Sequence, residues 1–155
     1  MNIQIAPNKI IPDAMTIWND PGPDVDINMD PRNLTFKEGS IDNLYTFHVL
    51  DHIFPNEILP TLQNWKKCLK NNGKLFIIVD DFEYLARAFV GGDISVNKIN
   101  SDFTHPSNFD RFNLVEYLVG VGFKDGDMQI WFDASSIGFT RNSFEMVVSA
   151  IKHGE

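Results

Sequence analysis

A single cysteine, Cys68, is all the thiol the chain possesses. That excludes an internal disulfide and points to a reducing compartment. Its place beside the apolar face of a helix suits a structural thiol rather than a nucleophile. Long hydrophobic runs are missing as well. No segment reaches the ~20 apolar residues that span a bilayer, and Met1–Ile5 has neither the basic start nor the apolar stretch of a secretion signal. A cytoplasmic home is the expectation. Positive charge is scarce: 13 Lys and Arg stand against 21 Asp and Glu, a formal net charge of −8. The densest basic spot is Lys66, Lys67 and Lys70. An acidic surface repels phosphate backbones and anionic headgroups, so neither a nucleic acid nor a membrane is expected as partner. Repeats and low-complexity tracts are absent.

What remains is an ordinary globular composition of 155 residues, 43% apolar and 22% charged. That length fits one domain, residues 1–155, around one core. Thirteen Phe, three Trp and three Tyr make the core bulky. Residues 2–6 alternate polar and apolar before Pro7-Asn8 and predict a short strand. Met15–Trp18 predicts a second, stopped by Asn19-Asp20-Pro21-Gly22-Pro23. Val25–Met29 predicts a third, stopped by Asp30-Pro31. Almost no room is left for helices between them. Ile41–Val49 predicts a more buried fourth strand.

The clearest helix covers 56–70, with Ile58, Leu62, Trp65 and Leu69 on one stripe. Asn71-Asn72-Gly73 supplies a left-handed stop. The unbroken run Leu75–Val79 then predicts a central strand covered on both faces. Helix, glycine stop and apolar strand together mark a βαβ crossover. A helix is expected over Asp81–Val90, with Phe82, Leu85, Ala86 and Phe89 inward. Residues 91–108 are expected to form a long polar loop. A further helix is expected from Asp110 to Val121, with Phe112, Val115, Leu118 and Val119 inward. The last two strands, near Met128–Phe132 and Phe144–Ile151, are expected to pair as a hairpin through Asp133–Gly138.

Four segments now carry a resemblance. Asp30-Pro31-Arg32-Asn33-Leu34-Thr35-Phe36-Lys37-Glu38-Gly39-Ser40-Ile41-Asp42 resembles the D-x-x-x-L-P-F-x-D-G-S-F-D stretch of small class I S-adenosylmethionine-dependent methyltransferases. His48-Val49-Leu50-Asp51-His52-Ile53 resembles their H-V-L-E-H-I. Leu69–Leu75 resembles L-K-P-G-G-x-L, and Leu114–Phe123 resembles L-x-x-L-L-x-x-A-G-F. Each motif alone is weak; four in order and spacing are specific. The resemblance implies an α/β Rossmann-like sheet, mostly parallel with an antiparallel last strand, and reduced helical cover near the N-terminus. It implies S-adenosylmethionine as cofactor, S-adenosylhomocysteine as product and a small-molecule or glycan-like acceptor.

In such sheets ligands bind beyond the carboxyl ends of the strands. The resemblance therefore puts Ala6 and Asn8 at the first strand end, Asp20 on the ribose hydroxyls, Asp30 on the adenine amino group, Leu34 or Phe36 against the ring, and Phe47 and His48 at the fourth strand end. Asp26 competes with Asp20 for the ribose. Asp80 and His105 are the candidate bases, and Asp81 the candidate cap of the following helix. His48 and His52 stand four apart, but no third ligand is evident in the sequence, and no metal is expected. The chain departs from the family at Ala6-Pro7-Asn8-Lys9, which has no glycine, and Pro7 removes an N–H donor. An inactive, methyltransferase-like binding module or partner subunit is the alternative, and self-association would cover the thinly protected sheet.

Overall fold

The computed structural model describes residues 1–132 and 144–154. Seven strands form one sheet in the order β3-β2-β1-β4-β5-β7-β6. They are β1 (Asn2–Ile5), β2 (Met15–Trp18), β3 (Ile27–Asn28), β4 (Ile41–Phe47), β5 (Leu69–Asp80), β6 (Gln129–Trp131) and β7 (Glu145–Ile151). The first five pair in parallel. β7 runs antiparallel to both β5 and β6. The expected sheet, with its one antiparallel final strand, is what the chain forms. The third strand is shorter than its alternation predicts. The expected Asp133–Gly138 connection lies outside the described residues.

Helices α1 (Pro55–Cys68), α2 (Phe82–Val90), α3 (Val96–Asp102) and α4 (Arg111–Gly120) all follow β4. The connections between the first four strands carry no helix. One of them is tied down by a side chain instead. Gln4, fully buried in β1, accepts from the backbone N–H of Ile10 at 3.0 Å and of Ile11 at 2.9 Å. Its amide donates to the Ile11 carbonyl at 3.1 Å and to Thr16 Oγ1 at 2.9 Å. Loop 6–14 is thus held over the sheet edge, with Ile10 and Ile11 packed near Ala6, Phe47, Ile78 and Val147.

On the other face α1 buries Ile58, Leu62, Trp65 and Cys68. Pro55 suits its first turn, where an N–H would have no partner anyway. Burial pushes the Cys68 thiol up, which fits a packing role. The expected stop at Asn71-Asn72-Gly73 is corrected: α1 ends at Cys68 and β5 begins at once with Leu69. The left-handed signal is nevertheless used, because Asn72 has φ 66°. It forms a bulge in β5, where the partners of Ile41 and Asn43 on β4 are Leu69 and Lys74. A Cβ at Gly73 would stand 2.8 Å from the Lys70 carbonyl oxygen and 3.1 Å from those of Ile41 and Asp42. Gly73→Ala is therefore expected to lose about 1–3 kcal/mol in a urea titration, the usual range for forcing atoms into occupied space. An unchanged midpoint would show that the bulge relaxes freely.

The inward faces of two helices also differ from expectation. In α2 the buried residues are Leu85 and Ala88, while Phe82 and Phe89 are largely exposed. In α4 they are Leu114 and Leu118, while Phe112 and Val119 face solvent. The long loop predicted over 91–108 contains α3, capped by Ser95, whose Oγ accepts from the Lys98 N–H. No helix among the described residues is long and apolar enough to cross a membrane.

Candidate active site

A cavity of about 810 Å³ opens at the carboxyl ends of the parallel strands. The ends of the first four strands contribute to it: Pro7 after β1, Trp18 and Asn19 at β2, Asn28 to Arg32 at β3, and Phe47 to Val49 at β4. His52, Ile53, Phe54 and Glu57 close the side formed by the start of α1. The place follows from topology. β1 lies between β2 and β4, so the chain leaves it in one direction and returns on its other side, and a crevice forms at that reversal.

Of the residues predicted for a cofactor, Asp30, Phe47 and His48 line this cavity. Asp30 is already engaged: Arg32 Nη2 and Nε lie 3.1 and 3.2 Å from its carboxylate. The Arg32 side chain holds the Asp30 carboxyl below its ordinary range, against a smaller upward push from burial. Asp20 is exposed and outside the lining, although its neighbour Asn19 is part of it. Asp26 is also outside; its carboxylate accepts from the Thr16 N–H at 2.8 Å. Ala6 is wholly buried beneath the turn, and Asn8 is exposed. Leu34 turns into the core rather than the cavity. Lys9 donates to the Ala14 carbonyl at 3.2 Å, within its own loop.

The supports of the β3–β4 loop were not legible as site residues. Asn64 of α1 accepts from the Leu34 N–H at 2.8 Å and donates to the Leu34 carbonyl at 3.1 Å. Trp65 Nε1 donates to the Pro31 carbonyl at 2.7 Å. A helix read from sequence as core packing thus also fixes the cavity wall.

Beside the cavity the fold gathers a cluster of histidines and acids. His48 takes φ 54°, a left-handed turn that swings its ring toward the end of the sheet. Its Nε2 lies 2.7 Å from Glu145 Oε2 and its Nδ1 3.3 Å from Asp51 Oδ2. Burial works to lower the His48 pKa, but the hydrogen bonds to Asp51 and Glu145 and their charges outweigh it and raise it to about 10. His105 Nε2 lies 3.0 Å from Asp80 Oδ2 and 3.6 Å from Asp51 Oδ2. Asp80, mostly buried, is pushed up by burial and partly pulled back by the His105 hydrogen bond. Asp80 and His105, the two predicted bases, are therefore in direct contact. Asp81 is the helix cap: its carboxylate accepts from the Glu83 N–H at 3.1 Å. Asp51 and Glu145 are the members that sequence reading missed. Glu145 pairs with Asp80 across β5 and β7, a juxtaposition that only the sheet register reveals.

The comparisons agree with this architecture. Residues 5–77 match the family model described as a methyltransferase domain. An S-adenosylmethionine-dependent methyltransferase from Archaeoglobus fulgidus shares 13% identity over 90% of this chain and 76% of its own, with a TM-score of 0.64. The 1,6-didemethyltoxoflavin-N1-methyltransferase of Burkholderia thailandensis, solved with 1,6-didemethyltoxoflavin and S-adenosylhomocysteine, shares 15% over 98% and 71%, also at 0.64. An S-adenosylmethionine-dependent methyltransferase from Thermotoga maritima shares 17% over 90% of this chain, which spans only 64% of that protein, at 0.59. No curated protein matches the sequence. The fold is that of the class I, S-adenosylmethionine-dependent methyltransferases. The stretch of this chain that matches the methyltransferase domain runs from the end of the first strand into the fifth.

Proposed function

We propose that this chain binds S-adenosylmethionine in the cavity at the strand ends and passes its methyl group to a small-molecule or glycan-like acceptor, releasing S-adenosylhomocysteine. The observation that carries this reading is the open cavity itself. The glycine-less turn contributes only Pro7 to its lining and leaves about 810 Å³ free, a volume typical of small-molecule sites. The Burkholderia relative, with its bound product and small acceptor, supports the acceptor class. In this reading Asp30 serves the adenine, Phe47 and His48 line the walls, buried Ala6 and Leu34 back them, and exposed Asp20 and Asn8, just outside the lining, turn in on the cofactor, Asp20 to the ribose. The His105–Asp80 pair, beside the cavity, is the base we assign to the acceptor proton, and in-line positioning of sulfonium and nucleophile supplies most of the rate. A single domain in a reducing cytoplasm suits the unpaired Cys68.

Titration calorimetry with S-adenosylmethionine and S-adenosylhomocysteine is the test. One equivalent of each is expected to bind, and Asp20→Ala is expected to weaken binding about tenfold or more, the scale of hydrogen bonds to a charged group. Asp26→Ala, whose carboxylate is occupied by Thr16, serves as the comparison and is expected to do less. No heat and no thermal shift at millimolar ligand would overturn the reading. Binding without transfer to any pool of small acceptors would favour the non-catalytic module.

A further inference from the structure

We propose that Asp51, His52 and His105 form a binding site for one divalent transition-metal ion at the edge of the cavity. One ligand atom from each of the three lies within 4.8 Å of the others. Two histidines and a carboxylate are a donor set suited to zinc, manganese or iron. Proximity alone would not distinguish such a site from a hydrogen-bonded cluster. What does is the state of the donor atoms. Asp51 has a side chain only 2% exposed, and its Oδ1 has no hydrogen-bond partner among the described residues. His105 Nδ1 is likewise buried and without a partner. Leaving such atoms without a partner costs roughly 1–3 kcal/mol each, so one on each of two neighbouring side chains, Asp51 and His105, calls for a ligand.

The other nitrogen of His105 supplies the second argument. Nε2 faces Asp80 Oδ2 at 3.0 Å. With its proton on Nε2, His105 presents a lone pair on Nδ1. A carboxylate fixing the far side of a ligating imidazole is the recurrent arrangement around protein-bound metals. His52 contributes from the open side. It lines the cavity, and its ring meets His105 edge-on, with centroids 5.0 Å apart. Neither Lys nor Arg pairs with Asp51 or Asp80 among the described residues; their ion partners are histidines alone. A cation therefore meets no fixed positive side chain in competition, only protons on imidazole, which metals displace. His48 is held aside by Glu145 and keeps Asp51 Oδ2 occupied, which leaves Oδ1 for the ion.

This site does not depend on the methyl-transfer reading; only its consequence for the reaction does. An ion on His105 Nδ1 and an acceptor proton on the same atom exclude each other, so a bound ion should slow any transfer that uses His105 as its base, and chelation should restore it.

The experiment titrates chelator-stripped full-length protein with Zn²⁺, Mn²⁺ and Mg²⁺ by calorimetry. It follows the four histidine rings by long-range ¹H–¹⁵N correlation spectra. One equivalent of Zn²⁺ or Mn²⁺ is expected to bind and Mg²⁺, which favours oxygen ligands, far less. The Zn²⁺ titration should move the His52 and His105 resonances and leave His153, paired with Asp127, in place. His52→Ala, at an exposed position, should fold normally and weaken Zn²⁺ at least tenfold, and Asp80→Asn should weaken it 10–100-fold by loosening His105. Absence of one-equivalent binding, Zn²⁺ shifts confined to His153, or an affinity indifferent to His52→Ala would each overturn the proposal. Because these readouts need no cofactor, their failure is separate from failure of the S-adenosylmethionine titration.

Discussion

Trp65→Ala is expected to lower unfolding free energy by about 3–5 kcal/mol, the range for deleting a fully buried large aromatic. Trp65 has no exposed surface and lies in the main core cluster between α1 and the sheet. The substitution removes the ring, leaves a cavity and strips the Pro31 carbonyl of the indole N–H that it accepts at 2.7 Å. For a chain of this length the melting temperature should fall by roughly 2–4 °C per kcal/mol. Urea unfolding followed by far-UV circular dichroism, rather than by indole fluorescence that the substitution itself alters, checks this. The second consequence is local. Pro31 and Arg32 line the cavity, so the loop that Trp65 anchors is the one that should shift. Trp65→Phe keeps most of the volume, loses the hydrogen bond and leaves a small gap, and it is expected to cost about 1–3 kcal/mol. If it also weakens S-adenosylhomocysteine binding, the indole positions the cavity wall. A loss below 1 kcal/mol for Trp65→Ala would contradict the packing of α1 on the sheet.

The same residue marks how far the sequence could be read. Trp65 falls on the stripe Ile58, Leu62, Trp65, Leu69, and that stripe is what α1 and the start of β5 bury. Long periodic segments specify their own burial, because one face alone offers enough apolar area. Helix α2 shows the opposite. Phe82, Leu85, Ala86, Ala88, Phe89 and Val90 spread over rather more than half of the helix circumference, an arc wider than the buried face, so periodicity does not fix which part of it turns inward, and the tertiary contacts bury the edge that carries Leu85 and Ala88. Helix α3 escaped because Val96–Asp102 is mostly polar and buries nothing; its signal was the Ser95 cap. The strand ends were legible, and with them the cavity. The cluster beside it was not. His48 meets Glu145 across 97 positions and His105 meets Asp80 across 25. Such contacts follow from sheet order and from the left-handed turn at His48, neither of which leaves a local pattern.

Gln4→Ala is expected to cost about 2–4 kcal/mol, the sum of several buried hydrogen bonds each worth roughly 1 kcal/mol. In most parallel sheets a crossover helix supplies cover between neighbouring strands. Here β1 and β2 are joined by residues 6–14, without a helix. The amide of Gln4 performs the task by satisfying the N–H groups of Ile10 and Ile11 and the Ile11 carbonyl from inside the sheet. An apolar side chain of the same length would leave those groups unpaired under the loop, so Gln4→Met is expected to be no better than Gln4→Ala. Hydrogen exchange at Ile10 and Ile11 gives the local readout. In the parent chain both amides should be protected, and in either variant they should exchange freely while the α1 amides stay protected. The same loop carries Pro7 into the cavity, so cofactor affinity should fall with loop order. If stability drops while exchange at Ile10 and Ile11 is unchanged, Gln4 acts by core packing alone and loop 6–14 is held by other contacts. If neither changes, the loop does not need the amide, and Gln4 is not what replaces the missing helix.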